Sequence, residues 1–146
     1  DRAMTRVAHI MTPAPITIAS TATAAAAGEL MVARHLRHLP VVDADGRLVG
    51  ILSDRDLRGP MVGGHDPKPA PAADAPITSL MTTAPVTAGP DDDLGAVARV
   101  IVERRFGAVP IVDAAGVLVG IISFVDVLRR LAEEAEADAR AVAMID

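Results

Sequence analysis

The sequence predicts a mixed α/β (α+β) fold in which two copies of one β-α-β-β-α unit pack together with pseudo-two-fold symmetry. The first observation behind this prediction is an internal repeat. Residues 7–60 align without a gap with residues 77–130, and 19 of these 54 positions are identical. The second observation is composition: apolar residues make up 51% of the 146-residue chain and aromatic residues only 1%, which predicts an aliphatic core.

The first strand and the first helix of each copy follow from residue type and spacing. Ile16-Thr17-Ile18 is rich in β-branched residues and predicts a short strand. A helical pattern of apolar residues covers Thr23 to Leu36, and its counterpart in the second copy covers Asp91 to Arg105. Each copy therefore begins with a strand that leads into a helix.

A β-hairpin and a second helix complete each copy. In the first copy, Leu39–Val42 and Leu48–Leu52 predict two apolar strands, and Asp43-Ala44-Asp45-Gly46 between them predicts a tight turn. The second helix begins near Ser53, or near Ser123 in the second copy. Because one such unit leaves an apolar sheet face uncovered, we expect the two units to bury these faces against each other.

The repeat divides the chain into four predicted segments. Residues 1–60 form the first repeat, residues 61–76 a linker rich in proline and glycine, residues 77–130 the second repeat, and residues 131–146 a C-terminal amphipathic helix. Proline and glycine interrupt helices and central strands, so we expect the linker to be semi-extended.

Composition and charge exclude several classes of protein. The chain has no cysteine, so it has neither disulfides nor thiolate metal sites. No apolar run approaches the ~18 residues of a membrane span and no signal-peptide pattern opens the chain, so we expect a cytoplasmic protein that does not bind a membrane. The net charge of −5 and the lack of aromatic stacking residues argue against nucleic-acid binding.

The most informative motif is Gly-Ile-(Leu/Ile)-Ser-x-x-Asp, which contains Ser53 and Asp56 in the first copy and Ser123 and Asp126 in the second. One interpretation is structural, because Ser-x-x-Asp at the start of a helix is close to a capping box. The other is functional, because a helix N-terminus attracts phosphate and a first-turn carboxylate can accept both hydroxyls of a ribose. In that case Ser53 and Arg55 would hold phosphate. The motif alone leaves both interpretations open.

No reaction centre and no metal site are predicted. The sequence lacks the phosphate-binding loop, the nucleophile elbow and the zinc-protease helix, so we expect no enzyme activity and no required cofactor. His35 and His38 have no third metal ligand nearby. Asp91-Asp92-Asp93 precedes a helix, where acidic residues stabilise the helix dipole.

The repeated motifs resemble those of a known family. The openings Ile10-Met11-Thr12 and Leu80-Met81-Thr82, the hairpin segments Leu39–Asp43 and Val109–Asp113, and the Ser-x-x-Asp endings are similar to a tandem pair of cystathionine β-synthase (CBS) domains, also called a Bateman module. The resemblance covers residues 7–130. It implies a regulatory module, commonly a homodimer, that binds AMP, ADP or ATP, or in some members NAD or S-adenosylmethionine.

The resemblance also implies roles for individual residues. Asp56 and Asp126 would hold ribose hydroxyls, and Ser53 and Ser123 would lie beside the phosphates. Further residues, including those before each hairpin proline, would flank the adenine largely through their backbone. The full set of expected nucleotide-binding residues is Thr17, Arg37, His38, Pro40, Ser53, Asp54, Arg55, Asp56, Thr87, Ala108, Pro110, Ser123 and Asp126.

The two copies differ in the residues next to these positions. The first copy has Asp54-Arg55 inside the motif and Arg37-His38 shortly before its hairpin proline. The second copy has Phe124-Val125 and Gly107-Ala108 at the equivalent places. Since arginine neutralises phosphate and Phe or Val does not, we expect the first site to take phosphate-bearing ligands. The second site would then be weaker or prefer adenosine-like ligands.

Two functions from different classes remain open. The first is a non-catalytic sensor, in which an adenine nucleotide shifts the arrangement of a homodimer and so signals to an effector protein. The alternative is a structural dimerisation or protein-interaction module that binds no small molecule, in which the Ser-x-x-Asp motifs serve only as helix caps. The sequence identifies neither the ligand nor the effector.

Overall fold

Two β-sheets and four α-helices make up the part of the chain that the computed structural model describes, residues 5–58 and 70–144. Single turns of 3-10 helix, Val7–His9 and Ile77–Ser79, open the two repeats. In chain order the other elements are β1 (Thr12–Pro13), β2 (Ile18–Ala19), α1 (Ala24–Arg34), β3 (His38–Val42), β4 (Leu48–Ser53), α2 (Asp54–Arg58), β5 (Thr82–Thr83), α3 (Leu94–Arg104), β6 (Ala108–Val112), β7 (Leu118–Ser123) and α4 (Phe124–Ala143).

The two sheets exchange their opening strands, β1 and β5. One sheet has the strand order β2-β3-β4-β5 and the other the order β1-β7-β6. β1 pairs antiparallel with β7 of the second repeat, with Thr12 opposite Ile121. β5 pairs antiparallel with β4 of the first repeat, with Thr82 opposite Ile51. Each sheet therefore combines the hairpin of one repeat with the opening strand of the other.

The hydrophobic core follows the same exchange. Val7, from the opening of the first repeat, is fully buried in a cluster with Ile122 of the second repeat. Ile77, from the opening of the second repeat, is fully buried in a cluster with Leu52 of the first. Each cluster therefore contains a fully buried residue from the other repeat. Full burial of an aliphatic side chain stabilises a protein by roughly 1.5–3 kcal/mol, so this exchange contributes to the stability of both clusters.

The pseudo-two-fold axis passes between the two hairpin turns. Arg47 and Val117, which are equivalent positions of the repeat, face each other in an antiparallel bridge. The N–H of Leu48 donates to the carbonyl oxygen of Gly116 at 3.1 Å, and the N–H of Leu118 donates to that of Gly46 at 3.3 Å. This reciprocal pair of bonds, between two units of the same mixed architecture, confirms the predicted fold class.

Local turn chemistry fixes both hairpins. The Oδ1 atom of Asp43 accepts hydrogen bonds from the N–H groups of Asp45 at 2.9 Å and Arg47 at 3.0 Å. Gly46 takes a φ of +79°, which glycine adopts without steric cost. Asp113 makes the same two bonds in the second turn. The predicted turn at residues 43–46 is therefore confirmed in both copies.

The first strands are shorter than predicted. The strand expected over Ile16–Ile18 is Ile18–Ala19, which pairs in parallel with the end of β3. In the second repeat its counterpart is only a parallel bridge between Ala88 and Ile111. Alanine replaces the β-branched Ile18 at this position, and alanine favours strands less.

The C-terminal end of the second repeat forms one helix. The helix expected to begin near Ser123 and the helix expected over residues 131–146 are a single element, α4, which is capped by Ser123. No helix within residues 5–58 and 70–144 has the length and apolarity needed to cross a membrane. Most of the predicted linker, up to residue 69, lies outside the described residues, and the boundaries of the four segments stay a prediction.

Close packing at Gly50 provides a test of the strand exchange. The Met81 side chain of the other repeat would overlap a methyl group added at Gly50, and the carbonyl oxygen of Thr82 would lie 2.9 Å from it. Since the backbone of Thr82 is held in the sheet, we expect Gly50→Ala to lower the free energy of unfolding by about 1–3 kcal/mol. Urea denaturation would measure this change.

Gly28→Ala is the matched control. Gly28 lies inside α1, where an added methyl group would make only an ordinary contact with Leu57 at 3.9 Å. Replacing a glycine inside a helix by alanine stabilises the helix by roughly 0.5–1 kcal/mol. If Gly50→Ala were as well tolerated as Gly28→Ala, the close contact between the exchanged strand and β4 would be contradicted.

Candidate functional site

A cleft opens between the two repeats beside the start of α2. It consists of a cavity of about 290 Å³, called the apolar cavity below, and a cavity of about 630 Å³, called the basic cavity. The two cavities share four lining residues and so form one continuous depression, the Asp56 cleft. Small-molecule sites in proteins have volumes of roughly 300–1,000 Å³, so the cleft is large enough for a nucleotide. The shared residues are His38, Ser53, Phe106 and Gly107.

Both repeats contribute walls to the apolar cavity. Ile51 and Asp56 belong to the first repeat, whereas Ala84, Pro85 and Val86 follow the exchanged strand β5 of the second. Ala84 takes a φ of +45°, which is uncommon for a residue other than glycine. This turn lies between the exchanged strand and the apolar side chains of the cavity. The strand exchange is therefore what brings these side chains opposite Asp56.

Ser53 and Asp56 bond to each other's backbone at the start of α2. The N–H of Ser53 donates to Oδ2 of Asp56 at 2.7 Å, and the N–H of Asp56 donates to Oγ of Ser53 at 3.3 Å. This is the reciprocal pattern that the structural interpretation of the motif predicts. The Asp56 carboxylate also lines the apolar cavity. Since the cap uses only one of the two carboxylate oxygens, capping and ligand binding are compatible.

Arginines dominate the charge of the basic cavity. Arg37, Arg55 and Arg58 come from the first repeat, and Arg105 comes from the end of α3 in the second. Among the described residues that line this cavity, Asp54 is the acidic one, and its carboxylate accepts a hydrogen bond from Arg58 at 2.8 Å. The cavity therefore carries an excess of positive charge, which favours an anionic ligand.

His38 lies where the two cavities meet. Burial lowers the pKa of the His38 imidazole below its ordinary value of 6.5. The neighbouring carboxylates of Asp54 and Asp56 oppose this shift, and the guanidinium groups of Arg37 and Arg55 add to it. Since the pKa is below 6.5, the imidazole is neutral at pH 7 and can both donate and accept a hydrogen bond.

The His38 ring packs against Gly107, which has no side chain. A methyl group at Gly107 would overlap the ring at Nε2 and Cε1. In the repeat, Ala108 is equivalent to His38 and Arg37 is equivalent to Gly107. On the other side of the axis a small side chain therefore takes the place of the large one, and a large side chain takes the place of the glycine. The two sides of the pseudo-two-fold axis are therefore filled by different side chains, and the two clefts cannot be chemically equal.

Asp126 and Ser123 form a capping box at the start of α4. The N–H of Ser123 donates to Oδ2 of Asp126 at 2.8 Å, and the N–H of Asp126 donates to Oγ of Ser123 at 3.2 Å. Oδ1 of Asp126 lies 3.8 Å from the guanidinium of Arg129. Val125 and Leu128 stand in the places of Arg55 and Arg58, and both are exposed.

The structure brings together seven of the residues predicted to bind a nucleotide and separates the others. Thr87 lines a different cavity of about 280 Å³ beside α3, and Thr17 is half-buried outside the Asp56 cleft. Pro40 and Pro110 are fully buried, while Ser123 and Asp126 lie at α4. Nucleotide binding by any of these residues stays a prediction. The seven residues in the cleft are Arg37, His38, Ser53, Asp54, Arg55, Asp56 and Ala108.

Sequence reasoning missed four lining residues that belong to the opposite repeat. Pro85, Val86, Arg105 and Phe106 reach the Asp56 cleft from the second repeat. Arg58, at the end of α2 in the first repeat, also lines the cleft and was not among the expected nucleotide-binding residues. The 70-residue offset of the repeat shows which positions are equivalent. It does not show that an opening strand pairs with the other copy's hairpin.

The acidic run before α3 has a structural role. Oδ2 of Asp93 accepts a hydrogen bond from the N–H of Ala96 at 3.2 Å and caps the helix, and Oδ2 of Asp92 accepts one from Gly89 at 2.8 Å. Among the described residues, no three His, Cys, Asp or Glu side chains are grouped to hold a metal ion. His35 lies at the left-handed end of α1, with a φ of +55°.

Comparison with known proteins gives a family match over both repeats. A family model described as "CBS domain" matches residues 7–63 and 77–133, which confirms the resemblance seen in the motifs. Homoserine O-acetyltransferase of Methanococcoides burtonii is 33% identical to the chain over 125 residues, covering 86% of this chain and 24% of that protein. The chain therefore spans about a quarter of the length of the curated relatives it matches.

Two solved structures are similar over most of the chain. CBSX2 from Arabidopsis thaliana, solved in complex with AMP, is 27% identical with a TM-score of 0.75, and the match covers 89% of this chain and 98% of that one. The CBS domain pair of protein MJ0100, solved with 5′-methylthioadenosine and S-adenosyl-L-methionine, is 27% identical with a TM-score of 0.77, covering 90% and 99%.

The lowered pKa of His38 predicts a dependence of stability on pH. Between the pKa of the folded state and 6.5, the unfolded chain binds a proton that the folded protein does not. The stabilising effect of the neutral His38 imidazole on the free energy of unfolding is therefore fully present above pH 6.5, and it is lost as the pH falls below 6.5. We expect His38→Gln to flatten the fall in melting temperature between pH 7.5 and pH 5.5.

His9→Gln is the control for this pH experiment, because His9 is an exposed histidine that is not among the residues lining the Asp56 cleft. Melting curves recorded at several pH values for the parent and both variants would give the comparison. An unchanged pH dependence in His38→Gln would contradict the assigned effect of burial on the His38 pKa.

Proposed function

Because the chain belongs to the CBS-domain family and contains two copies of the domain, we propose that it is a regulatory module that binds an adenine nucleotide in the Asp56 cleft. One observation carries this proposal: an apolar cavity that contains a carboxylate is continuous with a cavity lined by arginines. The cleft thus combines an apolar cavity with a carboxylate and an adjoining basic cavity, and these are the groups that suit the base, the ribose and the phosphate of a nucleotide.

Each part of a nucleotide finds a suitable partner in the cleft. The planar base would lie in the apolar cavity between Ile51 and Val86. The ribose hydroxyls would donate to the Asp56 carboxylate, as they do to acidic residues in dinucleotide-binding folds. The phosphates would occupy the basic cavity, where arginine guanidinium groups make charge-assisted, bidentate hydrogen bonds.

Similar proteins support an adenosine-containing ligand. CBSX2 is solved with AMP, and the CBS domain pair of MJ0100 is solved with 5′-methylthioadenosine and S-adenosyl-L-methionine. These three ligands share adenosine and differ in charge. The arginines of the basic cavity favour the phosphate-bearing type, AMP, ADP or ATP, at the Asp56 cleft of this chain. NAD and S-adenosylmethionine are the alternatives.

The Asp126 side of the molecule fits a different ligand. Val125 and Leu128 occupy the places of Arg55 and Arg58, so phosphate there would lack these two arginine partners. We propose that this second site is weaker or prefers adenosine-like ligands.

Regulation requires that binding change the protein. The walls of the Asp56 cleft come from both repeats, so a bound nucleotide contacts both at once. A ligand shifts an equilibrium only when it binds one arrangement more tightly than the other. We propose that this differential binding is passed on to an effector, which is another domain or another protein, without turnover of the nucleotide.

A thermal-shift panel tests the proposed function. AMP, ADP, ATP, NAD and S-adenosylmethionine are added separately, with a dye as the probe because the chain has no Trp or Tyr. A ligand at about 100 times its dissociation constant adds about 2.7 kcal/mol of stability, a shift of several degrees for a chain of this size. We expect a phosphate-bearing adenine nucleotide to give this shift.

Two matched variants identify the site. Asp56→Asn keeps an oxygen that can accept the capping bond from Ser53 but removes the charge. It is expected to abolish the shift, whereas Asp126→Asn is expected to leave it unchanged. The reverse pattern would move the nucleotide to the Asp126 side. A chain that no compound in the panel stabilises would contradict the proposal.

A second candidate function is favoured by exposed apolar residues along α4. Val125, Leu128, Leu131 and Val142 are 48–69% exposed, and Leu128 and Leu131 are three residues apart. Residues at this spacing share one face of a helix, and an apolar helix face can bind a partner. We therefore propose that α4 forms a dimerisation surface with a second copy of the chain, whether or not a nucleotide binds.

Light scattering with chromatography tests this surface. We expect the parent to have the mass of a dimer and Leu128→Asp/Leu131→Asp to have the mass of a monomer with helix content retained. Glu136→Gln, an exposed polar change on the same helix, should leave the dimer intact. A monomeric parent, or a double variant that stays dimeric, would rule out α4 as the interface.

A further inference from the structure

We propose that Arg105 makes the Asp56 cleft selective for adenine nucleotides that carry two or more phosphates. This inference rests on the proposed function and concerns the choice among its ligands. Arg105 belongs to the second repeat, yet it lines the same basic cavity as the α2 residues Arg55 and Arg58 of the first repeat. A phosphate between these groups would be held by both repeats.

The position of Asp56 sets where the phosphates begin. With the ribose at Asp56, the first phosphate lies near His38 and Ser53, the polar residues that line both cavities. The volume of about 630 Å³ beyond them remains open to a longer phosphate chain. A monophosphate would end close to the junction, whereas a diphosphate or triphosphate would extend along the basic cavity towards Arg58 and Arg105.

The charge of the basic cavity exceeds what a single phosphate needs. Four arginines line it and, among the described lining residues, one aspartate opposes them through its bond to Arg58. Each further phosphate of the ligand adds negative charge and more acceptor oxygens, so it gains contacts that a shorter nucleotide cannot make. A sulfonium compound would bring positive charge into the same space.

The backbone at Arg105 fixes where its side chain starts. Arg105 caps α3 in the left-handed conformation, with a φ of +58°, and its N–H donates to the carbonyl of Ile101. The next N–H, that of Phe106, donates to the same carbonyl at 3.1 Å. His35 has the same conformation in the first repeat, with a φ of +55°. The backbone shape is thus common to both repeats, and the arginine is specific to this one.

The repeat provides an internal comparison. The positions equivalent to the four arginines of the basic cavity carry one titratable side chain, His35, and no arginine. The cavity beside Asp126 is smaller, about 180 Å³, and its arginines, Arg129 and Arg130, are accompanied by Asp126 and Glu133, so it has less room and less net positive charge for several phosphates. We expect one tightly bound di- or triphosphate per chain. The four equivalent residues are His35, Gly107, Val125 and Leu128.

Titration calorimetry with metal-free AMP, ADP and ATP tests the inference. We expect ADP and ATP to bind the parent about tenfold or more tightly than AMP, the effect of roughly one charge-assisted hydrogen bond. Arg105→Gln should weaken ATP binding about tenfold and leave AMP binding nearly unchanged. Arg104→Gln, which changes an exposed arginine of α3 outside the cleft lining, should leave both unchanged.

Arg105→Gly separates the role of the side chain from that of the fold. Glycine adopts the left-handed conformation without steric cost, so this variant should melt at a higher temperature than the parent. Its ATP affinity should nevertheless fall as in Arg105→Gln, and Arg105→Lys should restore part of it. A merely structural role for Arg105 would instead make stability and affinity change in the same direction.

The outcomes distinguish this inference from the proposed function. If no adenosine compound binds, the proposed function fails and the selectivity fails with it. If AMP binds as tightly as ATP, or if Arg105→Gln and Arg104→Gln behave alike, the selectivity is wrong while nucleotide binding stands. If Arg105→Gln lost binding of AMP, ADP and ATP alike, the selectivity would also be overturned, because Arg105 would then be needed for nucleotide binding in general.

Discussion

The antiparallel pairing of each opening strand with the hairpin of the other repeat determines the rest of the structure. β1 and β5 are only two residues long, yet they carry the fully buried Val7 and Ile77 with them into the opposite cores. They also place Met11 against Gly120 and Met81 against Gly50, where the strand has no side chain. Each of the two hydrophobic clusters therefore contains residues of both repeats, and the residues that follow β5 form one wall of the apolar cavity.

Sequence predicted the local elements well because their causes are local. The hairpin turn at residues 43–46 follows from Asp43 and Gly46, and the helix starts follow from Thr23, Asp93 and the Ser-x-x-Asp motif. The exchange has no local cause. Thr12–Pro13 is short, and both hairpins present nearly the same strand to it, so its choice of partner depends on the packing of the whole molecule.

The candidate site was predictable to the same extent. Ser53 and Asp56 lie where their motif indicates, and the structure shows why two interpretations fitted: the side chains cap α2 while the carboxylate lines the cleft. Thr17, an expected nucleotide-binding residue of the first repeat, is however not among the residues that line this cleft. The exchanged strand instead brings Pro85 and Val86 there. Contacts within one repeat were visible in the sequence, and contacts between repeats were not.

The two repeats have nearly the same backbone structure, and a few side chains make them chemically different. The capping geometry at Asp56 and Asp126 agrees to within about 0.1 Å in both bonds. The flanking positions replace Arg55 and Arg58 by the exposed apolar residues Val125 and Leu128, which removes two positive charges from these positions. Because the residues lining the Asp56 cleft come from both halves, the binding energy of a ligand there would depend on how the halves are placed relative to each other. Under the proposed function, a change in that placement is what a regulatory partner would detect, and the charge of the ligand would set how strongly the two halves are held together.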